Sequence, residues 1–170
     1  MNLAQATQAL KNDQIVALPT ETVYGLAGSS ISQIAIQKIY KAKNRPADNP
    51  LICHFRDLNQ ITEYANISDL TRQLLSYFAP GPISVLASLP ILSPLKNATT
   101  GLDTVICRIP NHSIFLNILN SLDFPLAAPS ANTSGKFSAT TAQMVSLDLG
   151  DKIAGVVDGG EAKVGLESCI

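Results

Sequence analysis

Polar residues gather in short segments of this sequence where apolar runs end: Pro19 to Gly25, Lys41 to His54, Thr104 to Pro110, Pro129 to Ser138 and Gly165 to Ser168. Lys43 and Arg45 lie at the end of a helical pattern, where cations also complement the negative end of the helix dipole, so ordinary helix-end charge is the competing reading. Pro46 and Pro50 stiffen the following turn and hold Arg45 and Asn49 in a fixed relation, which a polyphosphate site needs if it is to bind without reorganising. Arg108 lies in a strand pattern among Val105, Ile106 and Ile109. It either points to solvent or faces a buried anion, because an unpaired guanidinium in a core is too costly; its planar fork suits a carboxylate such as an amino acid supplies. Ser130 to Lys136 offers the hydroxyls, amide and flexible backbone of a phosphate or ribose cradle, or else a polar turn leading to a helix cap. Taken alone, His54 reads as a hydrogen-bonded structural histidine, and Cys53 and Cys107 as small buried residues.

Common alternatives are missing. No Gly-x-Gly-x-x-Gly follows a strand, and Ser134-Gly135-Lys136-Phe137 lacks the upstream glycine and the hydroxyl of a P-loop. Two histidines and three scattered cysteines match no zinc spacing, so no protein metal site is expected. The net charge of -1 gives no general field toward nucleic acid, although Lys38, Lys41, Lys43 and Arg45 place four of the 12 basic residues in one stretch. An odd number of separated cysteines fits a reducing compartment, with the cytoplasm as the default. The N-terminus lacks the pattern of a signal peptide, and the most apolar run, Ile83 to Leu92, is broken by serine and Pro90, so no membrane span is expected.

These segments need a scaffold. Leu3, Ala6, Ala9 and Leu10 predict a first helix capped by Asn2; Gln14 to Leu18 reads as a strand; and Ile31, Ile34, Ala35 and Ile39 form the stripe of a second helix reaching Lys43. The intervening PTETVYGLAG reads as a polar loop. A strand at Leu51 to Phe55 precedes helices capped by Asp57 and Ser68. Further strands are expected at Ile83 to Leu89, Thr104 to Ile109, Leu126 to Pro129 and Ile153 to Asp158, with Gly165 to Ile170 as a last one. Helices are expected at His112 to Leu122 and Thr140 to Leu149. Consecutive strands between Ile83 and Ile109 break the βαβ rhythm, so the expected fold is α/β with a mixed sheet covered by helices, in one domain spanning 1–170.

Together the segments LPTETVYGLAG, KAKNRPADNPLICHF, PGPISVLA, VICRIPNH, PLAAPSANTSGKFSATTA and VVDGGEAKVGLESCI span almost the whole chain. In this order they resemble the YrdC-like threonylcarbamoyl-adenylate synthase family. The resemblance implies a three-layer, twisted mixed sheet with helices on both faces, an open, locally positive cleft and no second C-terminal domain. It implies an enzyme that makes threonylcarbamoyl-AMP and pyrophosphate from L-threonine, bicarbonate and ATP for tRNA modification. By this resemblance Lys43 and Arg45 are catalytic; Arg45, Asn49, Thr104, Ser130, Asn132 and Ser138 bind ATP; and Thr22, His54, Arg108, the backbone at Ala128, and Ser168 bind L-threonine. Mg²⁺ would be held mainly through ATP phosphates, which fits the scarcity of acidic residues in these segments. Downstream tRNA threonylcarbamoyl-transfer proteins are implied partners, with weak or transient tRNA contact. An RNA-binding module, and a related carbamoyl-adenylate-forming domain of the hydrogenase-maturation type, are the rival readings.

Overall fold

The computed structural model describes residues 1–170, and its first helix begins as its capping residues require. In α1 (Leu3–Lys11) the Asn2 side chain accepts from the Gln5 amide while the Gln5 side chain accepts from the Asn2 amide, a reciprocal capping box. The other helices are α2 (Gln33–Lys43), α3 (Leu58–Tyr64), α4 (Asp69–Phe78), α5 (Ser113–Asn120) and α6 (Ala142–Leu149). Asp57 and Ser68 cap α3 and α4 as expected, and Ser32 and Thr141 cap α2 and α6.

Seven strands form a mixed sheet: β1 (Val16–Leu18), β2 (Gly25–Ser29), β3 (Ile52–His54), β4 (Ser84–Ser88), β5 (Thr104–Arg108), β6 (Leu126–Ala127) and β7 (Gly155–Val156). Their spatial order is β4-β5-β3-β6-β2-β1-β7. β3 with β5 and β1 with β7 are parallel, and the remaining neighbours are antiparallel. Alternation along β1 shows the two covered faces. Val16 and Leu18 join α1 and α5 in one apolar cluster, while Ala17 joins the cluster of α2, α3, α4 and α6 on the other side.

Two expectations fail. Residues 25–29 are not part of a polar loop but a fully buried strand, hydrogen-bonded between β1 and β6. Its small residues carry no strand signal, yet they allow close packing: a Cβ on Gly28 would lie 3.1 to 3.3 Å from Ile15, Ile39 and Ala35. Gly165 to Ile170 forms no strand. One bridge joins Cys169 to Ile83 beside β4, and the rest crosses the loops described below.

Candidate active site

The sheet brings several of these polar segments to one place. β3 and β5 run parallel with His54 opposite Arg108, and β6 places Ala128 and Ser130 just past its C-terminal end. The turn before β2 supplies Thr20 and Thr22. Thr20 Oγ1 donates to the Val23 carbonyl, accepts from the amides of Thr22 and Val23, and lies 2.8 Å from Thr22 Oγ1, so the turn is fixed from within. Thr22, His54, Arg108, Ala128, Ser130 and Glu167 are among the residues lining a hollow of about 30 Å³.

Arg108 is 3% exposed, which removes the solvent-facing alternative. Its Nη2 donates to Thr22 Oγ1 at 3.0 Å and lies 2.9 Å from Glu21 Oε1, whereas Nε is buried without a partner. His54 stacks on Phe115 with ring centres 5.1 Å apart. Burial, and then the Arg108 charge, push its pKa down to about 3 against the Ile52 carbonyl, so the ring is neutral, with Nδ1 buried and unpartnered. One ring nitrogen is thus left without a partner inside the chain. Two residues that line the hollow, Arg108 and His54, thus each keep a buried polar nitrogen that the chain leaves unpaired.

Lys43 is 1% exposed and is no ordinary helix-end charge. Its Nζ donates to the carbonyls of Ser130 at 2.5 Å and Asn132 at 2.6 Å, so two of its three donors fix the turn after β6. Burial and the nearby Arg45 charge lower its pKa to about 8, with Glu167 and Asp148 opposing them. Arg45 donates from Nε and Nη2 to the Asn49 carbonyl and side chain at 3.2 and 2.7 Å, and from Nη2 to the Pro50 carbonyl at 3.0 Å. The proline turn does hold Arg45 and Asn49 together. Asn132 donates to the Thr133 and Lys136 carbonyls, its Oδ1 is buried and unpartnered, and it lines a second hollow of about 640 Å³ with Lys136, Phe137 and Asp148.

The other expected residues are more scattered. Ser138 donates to Glu167 Oε1 at 2.6 Å, and Ser168 is 2.8 Å from Ser84, which pairs with Arg108 across the β4–β5 ladder. The Ala128 amide already donates to Ile52 at 2.9 Å. Thr104 opens β5 opposite Ser88, and neither it nor Ser168 lines the small hollow. Two acidic residues of these segments come to the site: Glu21 meets Arg108, and Glu167 lines the hollow. The signal for Glu21 was Arg108 itself, because a buried guanidinium needs a counter-charge. Cys53 and Cys107 are buried, with burial pushing both thiols up, Cys107 to about 12, as inert core residues require. No helix is long and apolar enough to cross a membrane.

The Sua5/YciO/YrdC family profile, described as telomere recombination, matches residues 8–170. The threonylcarbamoyl-AMP synthase of Bacillus subtilis is 43% identical over 169 residues, covering 99% of this chain and 49% of that protein. The threonylcarbamoyl-AMP synthase of Pyrococcus abyssi is 41% identical over 162 residues, covering 95% of this chain and 47% of that protein. The crystal structure of P. abyssi Sua5 complexed with L-threonine superposes with a TM-score of 0.94 at 41% identity, over 98% of this chain and 49% of that one. The chain therefore spans about half the length of these relatives. The matched profile, the relatives' identity and the shared fold agree: this chain belongs to the Sua5/YciO/YrdC family.

Proposed function

We propose that the chain condenses L-threonine, bicarbonate and ATP into threonylcarbamoyl-AMP, working in the cytoplasm ahead of proteins that transfer the threonylcarbamoyl group to tRNA. The observation that carries this reading is a small hollow lined by Thr22, His54 and Arg108, in which Arg108 and His54 each keep a buried nitrogen without a partner. A cation fork, a neutral imidazole and a hydroxyl suit a small amino acid bearing a carboxylate and a hydroxyl of its own. Relatives named threonylcarbamoyl-AMP synthase, and a family structure complexed with L-threonine, support the same ligand.

In this reading Arg108 holds the carboxylate, with Thr22, His54, the Ala128 backbone and Ser168 completing the L-threonine site. The threonine amine takes up bicarbonate with loss of water to give a carbamate. A carbamate oxygen then bonds to the α-phosphorus of ATP as the bond to the pyrophosphate leaving group breaks. Anion must approach anion, so the protein's task is positioning and charge stabilisation. Arg45 supplies fixed positive charge, and Lys43 offers its remaining donor while holding Ser130 and Asn132 in place. Arg45, Asn49, Thr104, Ser130, Asn132 and Ser138 receive ATP. No three metal-ligating side chains converge, so Mg²⁺ fits here as an ion carried on triphosphate oxygens and water, where it would neutralise phosphate charge.

Mass spectrometry of products after incubation with ATP, Mg²⁺, bicarbonate and L-threonine tests the reading. Threonylcarbamoyl-AMP and pyrophosphate are expected, each dependent on both L-threonine and bicarbonate. ATP breakdown indifferent to L-threonine would overturn it.

A further inference from the structure

We propose that Glu21 is a positioning residue for Arg108, holding its guanidinium by one corner so that the rest of the donor fork serves the substrate carboxylate. The inference rests on the reading of this hollow as the L-threonine site and adds a residue to it. Glu21 is 8% exposed. Its two oxygens have separate tasks: Oε2 accepts from the Asn111 amide at 3.1 Å, and Oε1 lies 2.9 Å from Arg108 Nη2. The second contact is an ion pair without hydrogen-bond alignment, so it fixes charge and place more than direction. Direction comes from Thr22, whose Oγ1 accepts from the same Nη2 at 3.0 Å. Both contacts fall on one nitrogen, and Nε is left without a partner.

Glu21 does not line the hollow that Arg108 lines. It lines a neighbouring polar cavity of about 270 Å³ with Asn111, His112 and Lys163. Its contact with the guanidinium thus comes from a residue outside the hollow's lining, which supplies the counter-charge a buried arginine needs without occupying the ligand's place. Its backbone is also pinned, because its carbonyl accepts from the Val164 amide at 3.0 Å.

Steady-state pyrophosphate release and calorimetric L-threonine binding by wild type, Glu21→Gln, Arg108→Ala and the double variant test the assignment. Glu21→Gln is expected to raise the KM and Kd for L-threonine about tenfold, the scale of one charge-assisted contact, while kcat and the KM for ATP stay within about twofold. In the Arg108→Ala background the same substitution is expected to add nothing to the L-threonine Kd, because the group it positions is gone. If Glu21→Gln does not fold, Glu21→Asp, which withdraws the carboxylate by one methylene, carries the same test with a smaller rise. Unchanged L-threonine affinity in the folded variant, parallel losses for both substrates, or equal losses with and without Arg108 would each overturn the role of Glu21 while leaving the L-threonine site standing. A wild-type chain that neither binds L-threonine nor makes the adenylate would overturn both.

Discussion

Lys43 is an ammonium enclosed by the fold, and its burial gives a pH signature separable from catalysis. Below about pH 8 it is charged in both the folded and the unfolded chain, and the folded state bears the desolvation. As the pH rises through about 8 the folded chain releases this proton, whereas the unfolded chain does so only near 10.5. Between those values the unfolded state binds more protons, so this group's contribution to stability rises with pH. The difference in unfolding free energy between wild type and Lys43→Met, from urea titrations at pH 7 to 10, should therefore move toward the wild type by on the order of 2 kcal/mol. A constant difference would mean that the two carbonyls keep the ammonium protonated. The neighbouring residues follow the same logic. From sequence Arg108 is open between solvent and a buried anion, and its partner is not legible at all, because Glu21 is 87 positions away and no local pattern joins them.

Elements were read well where their signals are local. The caps of α1, α3 and α4 lie within three residues of the amides they serve, and the strands that hold Arg108 and His54 have apolar runs of their own. β2 was missed for the opposite reason. Gly25, Ala27 and Gly28 have low strand propensity, and only the contact of α2 and β1 on this strand explains why small residues are needed. Gly28 should therefore tolerate little. A Cβ there would meet Ile15, Ala35 and Ile39 at 3.1 to 3.3 Å, closer than ordinary packing. Gly28→Val is expected to lower unfolding free energy by about 2–3 kcal/mol through overpacking, and Gly28→Ala by less. Thermal unfolding of both variants checks this, and a Gly28→Val protein as stable as wild type would show that α2 moves aside freely.

At the scale of the molecule, residues 160–168 lie as a strap over the loops that build the small hollow. The amides of Ala162, Val164 and Gly165 donate to the carbonyls of Thr140, Glu21 and Thr22, Ser138 donates to Glu167, and Ser168 meets Ser84. The segment around Ser168 is polar, and it forms no strand because its partners are scattered loops with no ladder between them. Glu167 lines the small hollow and is tied to Ser138, so the strap borders the place proposed for L-threonine. Opening of the strap is the expected route by which the proposed L-threonine site is reached. The strap is mostly exposed and held by a few separated hydrogen bonds, the conditions for local opening well below the cost of global unfolding. Hydrogen exchange should accordingly find the Val164 and Gly165 amides open faster than those of Ala27 and Cys107 in the sheet. Saturating L-threonine should slow the two strap amides and leave the two sheet amides unchanged. Strap amides protected as strongly as the sheet, and indifferent to L-threonine, would mean that entry uses another route.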